Sequence, residues 1–264
     1  MSLFTAAAVQ TTGEPLDLTG NAARIERHVR CAVDDGAKLV VLPELCHTGY
    51  TLSPRLSEVS GTLPGASSDF LCGLARELDT TIVTTIAVLA DDGGLQNVGL
   101  IVSPDGIAAT GAKRGLWGGE PELFTPGPPG EHIVADTPLG RVGVAICYEA
   151  GFPEVARQLA VDGAEIIALP AAFGAARLHA WKLLTRSRAL ENGCYLIAAN
   201  SFGSSGSLAF CGHSTIVDPH GRRLALLADT EGRIVADLDP SVVRDARAAI
   251  PYLHDLHRVT GSLG

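Results

Sequence analysis

The chain of 264 residues is long enough for one large domain or two small ones, and 46% hydrophobic with 19% charged residues is typical of globular proteins rather than disordered ones. Twenty Lys and Arg against 29 Asp and Glu give a net charge of −9, which argues against nucleic acid or an anionic membrane as a partner. No apolar run approaches the ~18 residues of a membrane span, and the N-terminal residues lack the basic and apolar regions of a signal peptide.

Apolar runs typical of strands alternate with amphipathic stretches typical of helices through the first half of the chain. The pattern predicts a strand at 5–10, a helix at 21–35, a strand at 38–42, a helix at 70–78, and strands at 81–87, 96–102 and 107–112. Gly36 marks the expected end of the first helix, because glycine readily adopts the left-handed conformation found just past helix ends. The Asp105-Gly106 dipeptide predicts a hairpin turn between the last two strands.

The same alternation continues through the second half. It predicts a strand at 141–146, a helix at 154–161, a strand at 166–169, a helix at 177–192, a strand at 195–199, a hairpin of 214–217 and 223–227 with its turn at 218–221, and a last helix that starts at 239–240. No Gly/Ser/Pro-rich linker divides the chain, so we expect a single domain over residues 1–264. The predicted fold class is an α/β layered sandwich whose hairpins make the sheets mixed.

The cysteines and histidines indicate neither disulfides nor a metal site. Disulfide frameworks belong to short secreted chains and structural zinc sites need close pairs, so we expect reduced thiols, no metal and a cytoplasmic location. The signatures of phosphate-binding loops, dinucleotide-binding folds, zinc proteases and α/β-hydrolases are absent, which argues against those classes. The six cysteines stand apart at positions 31, 46, 72, 147, 194 and 211.

Three reactive side chains each follow an apolar strand. Glu44 ends the run Val40-Val-Leu-Pro-Glu, at a strand end where ligands gather in α/β folds, and partial burial there gives a carboxyl the pKa of a general base. Lys113 leaves the strand at 107–112 and suits stabilisation of developing negative charge. Cys147 ends a strand at a sharp strand-to-helix turn, where backbone N–H groups can bind an oxyanion. Taken singly, each is more often solvated or structural than catalytic.

Together with their flanking motifs, these residues resemble the nitrilase superfamily, the carbon–nitrogen hydrolases. Five blocks in the family's order cover nearly the whole chain, from Ala7 to about Asp239. The blocks are Val41-Leu-Pro-Glu44 with Thr48-Gly-Tyr50; Lys113 with Glu120-Pro-Glu-Leu-Phe-Thr-Pro-Gly127; Gly143-Val-Ala-Ile-Cys147-Tyr-Glu-Ala-Gly-Phe-Pro-Glu154; Trp181 with Arg186-Ser-Arg-Ala-Leu-Glu-Asn192 and Ala199-Asn200; and Gly212-His-Ser-Thr-Ile-Val-Asp-Pro-His-Gly221. Each block alone is a weak signal, whereas five in register are specific.

The resemblance implies a four-layer αββα sandwich with two mixed β-sheets, paired with a second copy through its helices as a homodimer or higher homo-oligomer. It implies that Cys147 is the nucleophile and that Glu44 is the general base that takes its proton. Lys113, with the backbone N–H of Tyr148, would then hold the tetrahedral oxyanion. This chemistry requires no metal or organic cofactor.

The resemblance also implies a fourth catalytic residue, a second glutamate that orients the substrate and assists deacylation. Counting back from Pro126-Gly127 favours Glu120 for this role, with Glu122 as the close rival. The candidate oxyanion and substrate-binding residues are Tyr148, Glu122, Ala171 and Phe173.

The substrate is less determined than the reaction, which we expect to be hydrolysis of a small amide through a Cys thioester. Carbamoyl-amino-acid hydrolases often have an arginine where this chain has Ala150-Gly151, so a neutral or modestly polar amide is favoured, with Arg177 or Arg114 as alternative carboxylate anchors. Tyr148, where nitrilases usually have Trp, and the chain length favour an amidase over a nitrilase. The alternatives are a nitrilase, an N-carbamoyl amidohydrolase, an acyltransferase and a catalytically inactive binding or scaffold protein.

Overall fold

The computed structural model describes residues 2–261, which form two six-stranded sheets and seven helices. The strands are β1 (Phe4–Gln10), β2 (Ala37–Val41), β3 (Thr81–Leu89), β4 (Leu95–Ser103), β5 (Gly106–Ala112), β6 (Ile133–Thr137), β7 (Gly140–Val144), β8 (Ile166–Ala171), β9 (Tyr195–Asn200), β10 (Phe202–Ser205), β11 (Leu208–Cys211), β12 (Ser214–Val217), β13 (Arg223–Leu227) and β14 (Gly232–Leu238). The helices are α1 (Leu18–Asp34), α2 (Leu56–Val59), α3 (Ala66–Glu77), α4 (Pro153–Val161), α5 (Leu178–Leu190), α6 (Pro240–Ala249) and α7 (Tyr252–Thr260).

Both sheets are mixed, as expected from the predicted hairpins. The first has the strand order β14-β1-β2-β3-β4-β5, in which β1, β2 and β3 are parallel and the other neighbours are antiparallel. The second has the order β13-β12-β9-β8-β7-β6, with β7, β8 and β9 parallel. Strands β10 and β11 form a separate two-stranded hairpin. Parallel centres buried on both faces explain the continuous apolar runs of these strands.

The side chains of each central strand alternate between two cores. In β1, Ala6 and Ala8 pack in the core between the two sheets, whereas Ala7 and Val9 pack in the core under α1 and α3. Helices α4 and α5 cover the opposite face of the second sheet. The layers therefore follow the order αββα, which confirms the expected four-layer sandwich.

Most predicted elements are present, with ends shifted by a few residues, and the misses have identifiable causes. The Asp105-Gly106 turn joins β4 to β5, and Gly106 has a φ of +124°, in the region that favours glycine. The edge strands β6 and β14 escaped prediction because one face of each is partly exposed and their apolar runs are interrupted. The helix that begins at Pro240 is not the last one, because α7 follows it. Within residues 2–261, no helix combines the length and apolar character needed to cross a membrane.

Candidate active site

The candidate residues come together where strands of both sheets end at one edge of the sandwich. Glu44 follows β2 and Lys113 follows β5, and in the second sheet Cys147 follows β7 and Ala171 ends β8. Because β5 runs parallel to β2 and β8 runs parallel to β7, the carboxyl ends within each sheet lie at the same edge. The two edges meet where the backbone N–H of Glu44 donates to the carbonyl of Ala171 at 3.4 Å.

Glu44 is fully buried, and three donors hold its carboxylate. Its Oε1 accepts hydrogen bonds from Nζ of Lys113 at 2.7 Å and from Nδ2 of Asn97 at 2.8 Å, and its Oε2 accepts from the backbone N–H of Ala172 at 3.0 Å. Pro43 precedes it and cannot continue the hydrogen-bond ladder of β2, since it has no N–H. Burial raises the pKa of the Glu44 carboxyl, although the positive charge of Lys113 opposes this. The result is an oriented carboxylate with raised basicity.

Lys113 lies between two carboxylates and is 1% exposed. Its Nζ donates to Oε1 of Glu44 at 2.7 Å and to Oε1 and Oε2 of Glu120 at 2.8 and 2.9 Å. Its backbone N–H donates to the carbonyl of Asn97 at 2.8 Å and so extends the ladder of β4 and β5 beyond the strand end. Burial lowers the pKa of the ammonium, but the carboxylate charges outweigh burial and raise the pKa above its ordinary value. Lys113 is therefore a permanent cation.

Glu120 is the second carboxylate on Lys113 and opens the 3-10 turn Glu120–Glu122. Its Oε1 accepts a hydrogen bond from the hydroxyl of Tyr50 at 2.8 Å, and its Oε2 accepts from the backbone N–H of Trp117 at 2.7 Å. Glu122, the rival candidate, is exposed to solvent. Of the two glutamates, the structure brings Glu120 into the buried cluster and leaves Glu122 at the surface.

Cys147 begins a 3-10 turn between β7 and α4, and its φ of +47° lies in the left-handed region that residues other than glycine rarely adopt. Such strain is tolerated only where the surroundings enforce it, and it concentrates at functional sites. The charges of Glu44, Lys113 and Glu120 all act on this thiol. The backbone N–H of Tyr148, the second residue of the turn, has no partner within the turn and provides a donor next to the thiol.

The resting state of Cys147 is the neutral thiol. Burial is the main cause that raises its pKa well above the ordinary value, and the negative charge of Glu44 raises it further. Lys113 and the backbone of Ala172 lower the pKa but do not reverse the shift. A nucleophilic thiolate at this position therefore needs a base, and the neighbouring carboxylate of Glu44 is suited to accept the proton.

Glu149 joins its own 3-10 turn to the segment after Lys113. Its Oε1 accepts hydrogen bonds from the backbone N–H groups of Arg114 at 2.9 Å and Gly115 at 3.3 Å, and its Oε2 accepts from that of Ile146 at 2.9 Å. The guanidinium of Arg114 approaches the same carboxylate at 3.5 Å. Glu149 is only 2% exposed, and these contacts fix the two segments relative to each other.

A pocket of about 140 Å³ opens above the cysteine. Its lining residues are Trp117, Cys147, Tyr148, Ala172, Phe173, Gly174, Ala176 and Arg177. Phe173 is held by its backbone N–H, which donates to Oδ1 of Asn200 at 2.7 Å, and by its ring, whose centroid lies 5.2 Å from that of Trp181. Tyr148 and Phe173 thus line the pocket as the sequence suggested, whereas Ala171 is fully buried and contributes only its backbone.

The remaining cysteines occupy ordinary buried or half-buried positions. All six cysteines are free thiols, and burial raises the pKa of Cys46 and of Cys211 to about 11. In the part of the chain that the structure describes, no three His, Cys, Asp or Glu side chains are arranged to hold a metal ion.

Sequence reasoning missed two side chains that orient the cluster. Asn97 donates to Glu44 from within β4, and Tyr50 donates to Glu120 from a loop. Tyr50 belongs to the motif Thr48-Gly-Tyr50, but the motif alone does not indicate its role. The available signal for Asn97 was an amide inside an otherwise apolar strand, because a buried polar group needs a partner. That signal points to a buried contact without identifying the partner.

Comparisons with known proteins agree with this geometry. Residues 5–248 match the family model described as carbon-nitrogen hydrolase. The chain is 35% identical over 256 residues to a nitrilase of Pyrococcus abyssi, which covers 96% of this chain and 95% of the relative. The solved structure of Nit3 from Saccharomyces cerevisiae, a member of branch 10 of the nitrilase superfamily, matches with a TM-score of 0.86 and 32% identity over 95% of each chain.

A third similar protein is an amidase from Nesterenkonia sp. Its structure matches with a TM-score of 0.84 and 30% identity, over 98% of this chain and 96% of the amidase. A variant of that amidase carries the acetamide moiety of fluoroacetamide covalently bound to its active-site cysteine.

Proposed function

The chain belongs to the carbon–nitrogen hydrolase family within the nitrilase superfamily, and on that premise we propose that it is a thiol amidohydrolase that cleaves a small amide through a Cys147 thioester. The observation that carries the proposal is the buried cluster of Glu44, Lys113 and Cys147, in which Cys147 lines the pocket. A base and a cation that are hydrogen-bonded to each other, beside a nucleophile on which their charges act, are the parts that amide hydrolysis by a thiol requires.

The first half of the reaction transfers the acyl group to sulfur. Glu44 takes the thiol proton as Sγ of Cys147 attacks the amide carbonyl, which gives a tetrahedral intermediate with a negative oxygen. Glu44 then donates that proton to the nitrogen, the C–N bond breaks, and ammonia or an amine leaves. The raised pKa of Glu44 suits both steps, since it brings the carboxyl closer to neutral pH as base and as acid.

The oxyanion forms between Lys113 and the backbone N–H of Tyr148. Nζ of Lys113 donates to Oε1 of Glu44 at 2.7 Å and to the two oxygens of Glu120 at 2.8 and 2.9 Å, which can engage all three of its N–H groups. In the proposed mechanism the substrate oxygen replaces one of the two contacts to Glu120, so Lys113 stays paired with both carboxylates. Glu120 thus acts as a positioning residue that aims the ammonium, and a preorganised donor of this kind contributes about 10²–10³ in rate.

The second half of the reaction hydrolyses the thioester. Water enters the place vacated by the amine, and Glu44 takes one of its protons as the water oxygen attacks the acyl carbon. Collapse of the second tetrahedral intermediate breaks the C–S bond, and the proton on Glu44 returns to Sγ of Cys147. The products are a carboxylic acid and the regenerated thiol.

The experiment that tests this function is ammonia release from a panel of aliphatic amides, carbamoyl compounds and nitriles, with and without hydroxylamine. We expect turnover of amides, and diversion of the acyl group to a hydroxamate when hydroxylamine competes with water. Turnover of nitriles alone would instead indicate a nitrilase. A hydroxamate without hydrolysis in water alone would indicate an acyltransferase, and complete inactivity with an unreactive Cys147 would indicate a binding or scaffold protein.

We also propose that two copies pair through α4 and α5. Leu183 and Leu190 on α5 are 69% and 47% exposed, and Val161 at the end of α4 and Phe152 just before it are 42% and 40% exposed. Apolar side chains at this density on one layer are typical of a buried interface.

The proposal also treats residues 1–264 as one domain. It places the protein in the reducing cytoplasm, because the six cysteines are free thiols.

A further inference from the structure

Helix α5 carries a motif that takes no part in the proposed chemistry. The structure describes every residue of the block Arg186-Ser-Arg-Ala-Leu-Glu-Asn192, and these residues lie outside the lining of the pocket above Cys147. One of them is nevertheless a buried cation, since Arg188 is only 6% exposed. A buried charge is tolerated only when hydrogen bonds and an opposite charge compensate for its lost hydration. The contacts of Arg188 therefore indicate what this motif does.

The guanidinium of Arg188 holds the end of the turn that carries the nucleophile. Its Nε donates to the carbonyl of Ala150 at 2.8 Å, and its Nη2 donates to the carbonyl of Gly151 at 3.4 Å. These are the last two residues of the 3-10 turn Cys147–Gly151. A 3-10 hydrogen bond to the carbonyl of Ala150 would come from the residue three positions later, but that residue is Pro153, which has no N–H. Arg188 supplies the donor that the chain cannot provide there.

Arg188 is itself fixed before any substrate binds. Its Nη1 donates to Oε1 of Glu191 at 2.9 Å, so each of the three guanidinium nitrogens has an acceptor. Its backbone carbonyl accepts from Nδ2 of Asn192 at 2.9 Å. Helix α5 is anchored near its start by Trp181, whose indole N–H donates to the carbonyl of His213 at 2.8 Å. The guanidinium is therefore a fixed point against which the turn is held.

The turn is held at both ends by opposite charges. At its start the carboxylate of Glu149 accepts from the backbone N–H of Ile146, and at its end Arg188 donates to two carbonyls. Between these contacts lie Cys147, with its φ of +47°, and the backbone N–H of Tyr148. The left-handed backbone at Cys147 persists only where its surroundings enforce it. A shift of about 1 Å would move the thiol and the oxyanion donor together, and a misplacement of that size costs about 10²-fold in rate.

We propose that Arg188 is a positioning residue for the nucleophile. By holding the end of the 3-10 turn, it keeps the thiol of Cys147 beside the carboxylate of Glu44 and keeps the backbone N–H of Tyr148 directed at the oxyanion. The inference rests on the proposed amidase function and adds to it a residue that acts from outside the pocket.

The first test measures kcat and KM for butyramide in two variants of Arg188. We expect Arg188→Gln to lower kcat by about 10- to 100-fold with KM within about threefold, because the reacting groups are displaced while the pocket wall after β8 stays in place. Arg188→Lys should lose less, about three- to tenfold in kcat. Its ammonium keeps the charge, but it lacks the planar fork that holds two carbonyls at once.

The matched control is Arg186→Gln. Arg186 lies two residues earlier on α5 and also donates through Nε to a backbone carbonyl, that of Gly221 at 2.8 Å, in the turn between β12 and β13. This variant should change kcat by less than about twofold. Equal losses in Arg186→Gln and Arg188→Gln would overturn the inference, because a general weakening of α5 would explain both. An unchanged kcat in Arg188→Gln would also overturn it.

Alkylation by iodoacetamide separates positioning from a structural role, and it requires no turnover. Loosened packing would speed the alkylation of buried thiols such as Cys46 and Cys194, whereas a Cys147 displaced from its base reacts more slowly, since only the thiolate is alkylated. For Arg188→Gln we expect alkylation of Cys147 to be about tenfold slower, with Cys46 and Cys194 unchanged. An equal or faster rate at Cys147 would overturn the inference.

The same two measurements on Arg188→Lys decide the inference if Arg188→Gln does not fold, and wild-type values of both kcat and the alkylation rate would then overturn it. Failure of the proposed function would instead appear in the wild type, as hydrolysis of butyramide that is absent or does not depend on Cys147. The alkylation rates would still decide the role of Arg188 in that case.

Discussion

The charges of Glu44, Lys113 and Glu120 determine what this site can do. Two carboxylates and one ammonium are buried together, and a buried charge is tolerated only when it is paired and hydrogen-bonded. Burial and the negative charge of Glu120 both raise the pKa of Glu44, so this carboxyl is a stronger base than an exposed glutamate. The same carboxylates keep Lys113 charged, so the site combines a base with a permanent cation.

Replacing Glu120 by glutamine tests this balance. We expect Glu120→Gln to lower kcat/KM by about 10²-fold or more, because Lys113 loses a charged partner and the contact that orients its ammonium group. In the wild type, activity should fall with decreasing pH as Glu44 takes up a proton, at a pH above the ordinary 4.5. Since the charge of Glu120 raises the pKa of Glu44, the acid limb of the variant should move to lower pH. The measurement is the pH profile of kcat/KM.

The control for this prediction is Glu122→Gln, which removes the same charge from a solvent-exposed carboxylate in the same 3-10 turn. It should change kcat/KM by less than about twofold and leave the acid limb in place. Equal losses in the two variants, or an acid limb that stays in place in Glu120→Gln, would contradict the assignment of Glu120 to the cluster.

Sequence reasoning at the residue scale proposed Glu44, Lys113 and Cys147 as reactive groups but did not identify the contacts that orient them. Glu44, Lys113 and Cys147 could be proposed because each follows an apolar strand and lies in a motif that resembles one family. Asn97 and Ala172 could not be proposed, because they are 53 and 128 residues from Glu44 in sequence. Asn97 meets Glu44 only when β2, β3 and β4 pair within the first sheet, and Ala172 meets it only when the two sheets pack. Contacts between strands depend on register, which one sequence does not specify.

At the scale of elements, the strand-to-helix turn after β7 is the most constrained part of the site. The carboxylate of Glu149 accepts hydrogen bonds from three backbone N–H groups. One belongs to Ile146, just before its own turn, and the others belong to Arg114 and Gly115 in the segment after β5. This one carboxylate therefore connects the turn that begins at Cys147, after β7 of the second sheet, to the segment that follows β5 of the first sheet. Its contacts hold the left-handed backbone at Cys147 against relaxation.

Glu149→Gln tests that connection. Glutamine has one acceptor oxygen instead of two and presents an NH₂ group to a backbone donor, so we expect a loss of about 1.5–3 kcal/mol in the free energy of unfolding. Alkylation of Cys147 by iodoacetamide should also slow down. Glu154→Gln, at an exposed position in the first turn of α4, is the control and should change the free energy by less than about 1 kcal/mol. Equal effects of the two substitutions in urea denaturation would refute the connection.

The elements that could be predicted from sequence are those with strong periodicity. Helix α1 buries Ile25 and Val29 at helical spacing, and β2 and β3 are mostly apolar, so pattern alone identified them. Helix α3 begins at Ala66 rather than at residue 70, because Gly65 and Ser68 form an N-terminal cap that apolar periodicity does not register. The hairpin of β10 and β11 was missed because its polar, glycine-rich segment looks like a loop.

For the whole molecule, the core between the sheets joins the two halves of the site. Side chains of β1 and β2 share one apolar cluster with those of β7, β8 and β9, so displacing one sheet would separate Glu44 from Cys147. Stability and activity should therefore be lost together. Pairing of two copies at α4 and α5 would further stabilise the layer that carries the turn after Cys147.

The pairing predicts a species with the mass of two chains in sedimentation at micromolar concentration. Leu183→Lys places a charge in the centre of the proposed interface and should shift the protein toward the single-chain mass, because burying an unpaired charge is unfavourable. Ile107→Lys, at an exposed apolar position on β5 away from these helices, is the control and should remain paired. A wild type that sediments as a single chain would contradict the interface.

The central claim is that Cys147 is the nucleophile of amide hydrolysis. The most direct measurement is the rate of ammonia release from an aliphatic amide such as butyramide by Cys147→Ala beside the wild type, with Cys46→Ala as a control for loss of a buried thiol. We predict a loss of at least ~10³-fold in Cys147→Ala and little change in Cys46→Ala, since no acyl-enzyme can form without the thiol. Ammonia release by Cys147→Ala at a rate comparable to that of the wild type would contradict the account.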